Sequence, residues 1–158
     1  MSDLETLLKR LLDQRVEFVI VGGYAVMAHG APLVTQDVDI CCRFNAANLL
    51  RLQAAAADLH PVHRMTPQKL PLHLTRKSCV GLKNLYLRTD LGVLDCISEV
   101  LGVGDFDVVL GESLPVQLGF GECRILSLDA LIRAKEAMNR PRDREAVVQL
   151  KAIKARTA

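Results

Sequence analysis

The chain has 158 residues, half of them apolar, which suffices for one domain with a sizeable hydrophobic core. A formal net charge of +2 excludes neither a small-molecule partner nor a nucleic acid. Five cysteines without regular spacing argue against a disulfide scaffold, and no apolar run has membrane-spanning length. The acidic, amphipathic first residues lead us to expect no secretory signal. We therefore expect a cytoplasmic protein with reduced thiols and no membrane partner.

The first third of the chain predicts a helix, then two strands, each followed by a further helix. Ser2 and Glu5 form a capping box, and leucines at helical spacing follow it. Runs rich in β-branched residues predict the strands, and glycine and proline end the short helix between them. The predicted segments after the first helix are residues 16–21 (strand), 24–29 (helix), 36–42 (strand) and 45–59 (helix).

The remainder predicts several strands and a C-terminal pair of helices. Residues 59–83, interrupted by three prolines, give no clear pattern. A hairpin is predicted for residues 85–89 and 93–97, then short strands at 108–111, 116–118 and 124–126, and helices at 127–138 and 141–155. This order predicts an α+β fold with a mixed β-sheet flanked by helices. We expect a single domain over residues 1–158, with an α/β core at 1–126 and C-terminal helices at 127–158.

Glycines and acids in residues 19–42 are the most informative feature of the sequence. Gly22 and Gly23 end the first strand, and after thirteen intervening residues Asp37 and Asp39 flank Val38 in the second. Carboxylates two residues apart on a strand point to the same face. Because like charges so close repel each other, the pair favours a cation between the oxygens. The glycines, at a strand-to-helix junction, would let backbone amides approach a phosphate.

Asp95 is the best candidate for a third ligand. It lies in an otherwise apolar predicted strand, where a solubilising role is hard to argue. If that strand lies beside the strand of Asp37, three carboxylates converge, a set that suits Mg²⁺ or Mn²⁺. The alternative is a structural acid paired with an arginine such as Arg88 or Arg124.

Basic residues are concentrated in two regions. Residues 59–89 contain six basic residues and no acid, and residues 131–158 contain eight basic residues against three acids. Such regions suit an anionic partner such as a nucleotide or a nucleic acid. A solvated surface would explain them equally well.

The glycine pair, the spaced aspartates and Asp95 together resemble the nucleotidyltransferase superfamily of the DNA polymerase β type. The closest resemblance is to small bacterial members related to abortive-infection and toxin–antitoxin nucleotidyltransferases. It extends along most of the chain, because Lys135 and the segment Arg140-Pro-Arg-Asp143 are similar to a C-terminal pattern of that group. The resemblance implies transfer of a nucleoside monophosphate from a nucleoside triphosphate to an acceptor hydroxyl of RNA, a protein or a small molecule.

By the same resemblance, each motif has an expected role. Gly22 and Gly23 would cradle the triphosphate, with Thr35, Lys135 and Arg140 as further nucleotide contacts. The resemblance implies that Mg²⁺ or Mn²⁺ is held by the catalytic residues, which are Asp37, Asp39 and Asp95. Asp95 would also serve as base for the acceptor hydroxyl.

The sequence departs from the pattern at two positions. Leu33 stands where relatives often carry a basic residue. Many members have serine directly after the first glycine, where this chain has Gly23, followed by Tyr24. A non-catalytic nucleotide-binding or interaction module is therefore the alternative. An antibiotic-modifying transferase would need an acidic pocket, which the acid-free stretch at 59–89 disfavours. Further expected partners are a cognate antitoxin protein and, through the leucines of the first helix, a second copy in a homodimer.

Overall fold

Helices and strands alternate through most of the chain. The computed structural model describes residues 1–157, which form six helices and nine strands. The helices are α1 Asp3–Asp13, α2 Gly22–Ala28, α3 Ala46–Ala56, α4 Phe106–Gly111, α5 Leu128–Met138 and α6 Pro141–Thr157. The strands are β1 Phe18–Val21, β2 Asp37–Cys42, β3 Val62–His63, β4 Asn84–Thr89, β5 Gly92–Ile97, β6 Glu99–Val100, β7 Gly104–Asp105, β8 Ser113–Leu118 and β9 Gly121–Leu126. The predicted α+β class is confirmed.

Seven strands form one mixed sheet in the order β3-β4-β5-β2-β1-β9-β8, and β6 pairs with β7 in a separate ribbon. β2 runs antiparallel to β1 and parallel to β5, and β1 runs parallel to β9. The remaining pairs, which are β3 with β4, β4 with β5 and β8 with β9, are antiparallel. The acidic segment predicted at 36–42 therefore forms a central strand, where a carboxylate needs a chemical reason to be present.

The hydrophobic core surrounds the central strands. All four residues of β1 are buried, and α1 packs three leucines, Leu7, Leu8 and Leu11, into the interior with no exposed surface. Burial of each such side chain contributes about 1.5–3 kcal/mol. The predicted capping box begins this helix, since the Ser2 hydroxyl accepts a hydrogen bond from the backbone amide of Glu5 at 3.2 Å. These leucines are committed to the core of the monomer.

The prediction of a strand at residues 108–111 is wrong, because this segment belongs to α4. The Asp105 carboxylate accepts a hydrogen bond from the Val108 amide at 3.1 Å and caps the helix. Phe106 and Val109, three residues apart, are both buried on the same side of it. The β-branched pair Val108-Val109 indicated a strand, but capping and packing outweigh that preference.

The segment without a clear pattern, residues 59–83, supplies the edge of the sheet. β3 pairs antiparallel with β4, and the chain then returns so that the His63 amide donates to the carbonyl of Leu70 at 2.8 Å. The loop between these two residues therefore lies along the edge of the sheet. It places Arg64 directly beside β4, where its amide donates to the Tyr86 carbonyl at 3.0 Å.

The C-terminal helices follow the prediction. Ser127 caps α5, Asn139 ends it in the left-handed conformation at a φ of 50°, and Pro141 begins α6. α5 and α6 pack against each other. The last residue of the predicted pair, 158, lies outside the described residues. None of the helices in residues 1–157 combines the length and apolarity that a membrane crossing requires.

Candidate active site

Three carboxylates, those of Asp37, Asp39 and Asp95, lie on one face of the central strands. In the parallel register of β2 and β5, Asp39 lies opposite Asp95, and Asp37 lies opposite Val93. Residues opposite each other on neighbouring strands point to the same side of a sheet, as do residues two apart on one strand. The strand pairing that the sequence hypothesis requires is therefore present.

The Asp39 carboxylate lies in an unfavourable electrostatic environment. Burial and, to a smaller extent, the negative charges of Asp95 and Asp37 together raise its pKa from 3.8 to about 6. The positive charges of Lys135 and Arg64 oppose this effect without cancelling it. A partly buried carboxylate beside two others is stabilised by a cation, which is the electrostatic property expected of a metal ligand.

The glycine pair fits around this carboxylate. Gly22 has a φ of 66°, and a Cβ atom there would lie 2.3 Å from Oδ2 of Asp39, so no other residue leaves room for that side chain. At Gly23 a Cβ atom would lie 3.4 Å from Oγ1 of Thr35, which is an ordinary contact. The close approach of Asp39 therefore requires glycine at position 22, for a reason that the sequence alone did not indicate. α2 has only seven residues, so its dipole adds little.

Thr35 fixes the start of β2. Its Oγ1 donates to the carbonyl of Asp37 at 3.1 Å and accepts from the Asp37 amide at 3.2 Å. Its position two residues before the first aspartate therefore has a local structural role, which leaves the phosphate contact implied by the resemblance a prediction.

Asp95 forms an ion pair with an arginine, but neither arginine considered from the sequence is its partner. Nε of Arg64 donates to Oδ1 of Asp95 at 2.9 Å, and Nη2 of Arg64 donates to Oδ2. Both side chains are mostly buried, at 27% and 13% exposure. Arg88 lines a neighbouring cleft, and Arg124 donates to the hydroxyl of Ser113 at 2.7 Å. Arg64 comes from the segment that had no clear pattern, so its proximity could not be predicted.

Carboxylate oxygens are the ligands that Mg²⁺ and Mn²⁺ prefer, so the chemistry of the three aspartates fits such an ion. Both oxygens of Asp95 accept hydrogen bonds from Arg64. In the present side-chain conformations, no group of three or more His, Cys, Asp or Glu side chains within residues 1–157 is arranged to hold a metal ion.

Lys135 and Arg140, predicted from the C-terminal pattern, meet at a buried acid. Asp143 is 1% exposed and accepts from Nε of Arg140 at 2.5 Å and from the Arg140 amide at 3.1 Å, while Nζ of Lys135 lies 3.7 Å away. The bonds from Arg140 lower the pKa of Asp143 to about 2. Asp143 stood in the sequence pattern without an assigned role, and the structure shows that it holds both cations.

Two clefts meet at the aspartates. The main cleft has a volume of about 1080 Å³ and combines acidic sheet residues with basic residues of the C-terminal helical region. Its charged lining residues are Asp37, Asp39, Asp95, Glu99, Lys135, Arg140 and Arg142. The side cleft, of about 950 Å³, shares Asp37 with the main cleft. Its other charged lining residues are Asp3, Glu5, Arg64, Arg88 and Asp90. A carboxylate common to both clefts suits a reaction between two molecules, one in each.

The mixed sheet, its flanking helices and the carboxylates on β2 and β5 define the nucleotidyltransferase fold. Similar solved structures include a candidate nucleotidyltransferase of Thermotoga maritima, at a TM-score of 0.58 and 16% identity over 91% of this chain and 87% of that one. Another is ANT(2″)-Ia in complex with adenylyl-2″-tobramycin, at a TM-score of 0.57 and 15% identity over 98% of this chain and 97% of that one.

A solution structure of the antibiotic-resistance factor ANT(2″)-Ia is also similar, at a TM-score of 0.56 and 14% identity over 98% of this chain and 89% of that one. No family model and no curated protein matches the sequence. At this level of identity the likeness establishes the fold, and activity has to be argued from the site.

Proposed function

We propose that the protein is a metal-dependent nucleotidyltransferase, which moves a nucleoside monophosphate from a nucleoside triphosphate to an acceptor hydroxyl. One observation carries the proposal: Asp39 and Asp95 are paired in the register of β2 and β5, with Asp37 on the same face, at a cleft that basic side chains also line. Carboxylates for a cation and basic groups for phosphates are the two requirements of phosphoryl chemistry.

In the proposed reaction, the acceptor oxygen bonds to the α-phosphorus of the triphosphate. The bond from that phosphorus to the bridging oxygen of the β-phosphate breaks, and pyrophosphate leaves. The acceptor's proton passes to Asp95 as base. Mg²⁺ held by Asp37, Asp39 and Asp95 would neutralise charge on the transferred phosphate and on the leaving pyrophosphate.

The basic side chains that line the main cleft would hold the triphosphate. Lys135 already faces the carboxylates, since its charge acts on the pKa of Asp39. Arg140 and Arg142 line the same cleft, so three cations lie where phosphate oxygens would bind, although Lys135 and Arg140 are also paired with Asp143. Gly22 and Gly23 border the site, and their backbone would approach the triphosphate without obstruction from a side chain.

The main proposal leaves RNA, protein and small molecules as acceptor classes. The basic side chains of residues 59–89 favour RNA, and an RNA-modifying toxin with a cognate antitoxin, acting as monomer or homodimer, is the biological setting we propose. A second candidate is supported by the side cleft, where Asp3, Glu5 and Asp90, together with Asp37, outnumber the two arginines that also line it and would attract a cationic small molecule. Asp3, Glu5 and Asp90 lie in α1 and in the β4–β5 turn. They are therefore outside residues 59–89, the acid-free stretch that disfavours an antibiotic substrate.

Transfer of label tests the proposal directly. The protein is incubated with each α-labelled nucleoside triphosphate and Mg²⁺, in parallel with total RNA, a protein lysate and an aminoglycoside. The double variant Asp37→Asn/Asp39→Asn should lose at least about a thousandfold in rate. Asp13→Asn, which changes an exposed carboxylate paired with Lys9 on α1, is the matched control and should retain the rate.

Each outcome favours a different conclusion. Label in RNA supports the main proposal, and label in the aminoglycoside supports the second candidate. Triphosphate binding that depends on the aspartates, without transfer to any acceptor, favours the non-catalytic binding module. Absence of metal-dependent triphosphate binding would overturn the proposal and the binding module together.

A further inference from the structure

The ion pair between Arg64 and Asp95 lies where the two clefts meet. Asp95 lines the main cleft, Arg64 lines the side cleft, and Asp37 lines both. Both oxygens of Asp95 accept from the one guanidinium, so the carboxylate that would complete a metal site is engaged by a cation of the protein itself.

A guanidinium and a metal ion compete for this carboxylate. Each oxygen of Asp95 has further lone pairs, so geometry alone does not prevent a metal from binding beside Arg64. Electrostatics does oppose it, because a metal ion on Asp95 would lie close to the positive charge of Arg64 in a mostly desolvated setting. The charge of Arg64 also acts on Asp37 and Asp39, so it opposes a cation at all three ligands.

Arg64 is anchored by its backbone and by the aromatic ring beneath its guanidinium. Its amide donates to the Tyr86 carbonyl at 3.0 Å, its carbonyl accepts from Nζ of Lys69 at 2.6 Å, and its guanidinium carbon lies 5.6 Å from the centre of the Tyr86 ring. Because the anchors hold the main chain, rotation of the side chain alone would release Asp95. The side cleft, which Arg64 already lines, has room for the released guanidinium.

We propose that Arg64 is a positioning residue that holds Asp95 away from the metal site, and that binding of metal requires displacement of this guanidinium. The inference rests on the proposed function, because it assumes that Asp37 and Asp39 are metal ligands. It adds a control step to that function: the third carboxylate becomes available only when Arg64 turns into the side cleft, where the acceptor would bind.

Manganese affinity tests this control step. Free Mn²⁺ is measured by electron paramagnetic resonance during titration of the full-length protein without nucleotide. Arg64→Gln should bind Mn²⁺ at least about tenfold more tightly than the unmodified protein, the size expected when a charge-assisted hydrogen bond no longer competes. Arg88→Gln removes the same charge from β4, the strand beside that of Asp95, and should change the Mn²⁺ affinity by less than about twofold.

A double-mutant cycle shows whether the effect acts through Asp95. In an Asp95→Asn background, Arg64→Gln should tighten Mn²⁺ binding much less than it does when Asp95 is present. Equal tightening in both backgrounds overturns the proposal, because it would reflect general removal of positive charge. Unchanged affinity in Arg64→Gln overturns it as well.

A further variant keeps the test decisive. Loss of Arg64 leaves Asp95 without its partner and lowers stability, so Arg64→Lys, which keeps the charge but cannot make both hydrogen bonds, serves as a better-folded variant. Its thermal midpoint should rise more on addition of Mn²⁺ than that of the unmodified protein, and an equal rise counts against the proposal.

Failure of the proposed function is distinguishable from failure of this control step. If Asp37→Asn/Asp39→Asn retains Mn²⁺ binding, the metal site and the control step are both wrong. If that variant loses Mn²⁺ and Arg64→Gln gains nothing, only the control step is wrong.

Discussion

Replacing Asp39 with asparagine should stabilise the metal-free protein at neutral pH, although it removes a proposed metal ligand. The folded protein raises the pKa of this carboxyl from 3.8 to about 6, chiefly through burial and then through Asp95 and Asp37. The folded state therefore holds the proton more tightly than the unfolded state does. Ionisation at higher pH favours the unfolded state. Asparagine has a similar shape and is not ionised.

The size of the effect follows from the shift in pKa. A change from 3.8 to about 6 is roughly two units, and at about 1.4 kcal/mol per unit the upper limit is about 3 kcal/mol. Because the side chain is only partly buried, solvent screening reduces this to about 1–1.5 kcal/mol. In a domain of this size, such a gain raises the thermal midpoint by about 2–5 °C.

The dependence on pH has a definite direction. The penalty is negligible below pH 3.8, grows as the pH rises to about 6, and stays constant above that value. The stability difference between Asp39→Asn and the unmodified protein should therefore be largest at pH 7–8 and much smaller at pH 4.5. Mg²⁺ should reverse the order at neutral pH by stabilising only the protein that binds it.

Thermal unfolding at several pH values, followed by circular dichroism in a chelator and in Mg²⁺, measures these differences. Asp37→Asn is the matched control, since it removes the same charge from an exposed position on the same strand and should gain less. Equal midpoints for Asp39→Asn and the unmodified protein at pH 8 in chelator would refute the electrostatic reasoning. A gain of the same size at pH 4.5 would refute it too.

Three further predictions concern the neighbourhood of the site. Gly22→Ala should lower the thermal midpoint by several degrees and weaken metal binding, because the new Cβ atom would lie 2.3 Å from Oδ2 of Asp39. Gly23→Ala should change the free energy of unfolding by less than about 0.5 kcal/mol. Asp143→Asn should raise KM for the triphosphate more than it lowers kcat, as Lys135 loses its buried partner; an unchanged KM would contradict this. Since all five cysteines are buried, native protein should not react with a thiol reagent until it unfolds, and rapid labelling would contradict the packing.

The fold was predictable where one physical signal dominated. The capping box at Ser2, the hairpin around residues 90–92 and the caps of the C-terminal helices are local signals, and the structure contains each of them. At residues 108–111 two signals conflicted, and the cap at Asp105 outweighed the preference of valine for strands. β3, at residues 62–63, is defined only by its partner strand, so no local pattern could indicate it.

The carboxylates of the candidate site were predictable, but their partners were not. An acid inside an apolar strand is unusual enough to be noticed in one sequence, which is how Asp95 was found. Its partner depends on which strand lies next to β5 and on how the chain continues past that strand. Arg88 and Arg124 lie in predicted strands. Arg64 lies instead in the loop after β3, where its guanidinium packs over the Tyr86 ring and reaches Asp95. The role of Asp143 was hidden for the same reason, since it depends on the packing of α5 against α6.

Sheet register connects these observations. It places Asp39 opposite Asp95, and Asp95 opposite Tyr86, so one row across three strands runs from the proposed metal ligands to the ring that supports Arg64. At this position Asp95 pairs with Arg64, and under the proposed function a metal ion on the side of Asp39 would be its alternative partner. Control of the proposed activity by Arg64 therefore requires no moving domain, because the alternatives differ in the partner of one carboxylate.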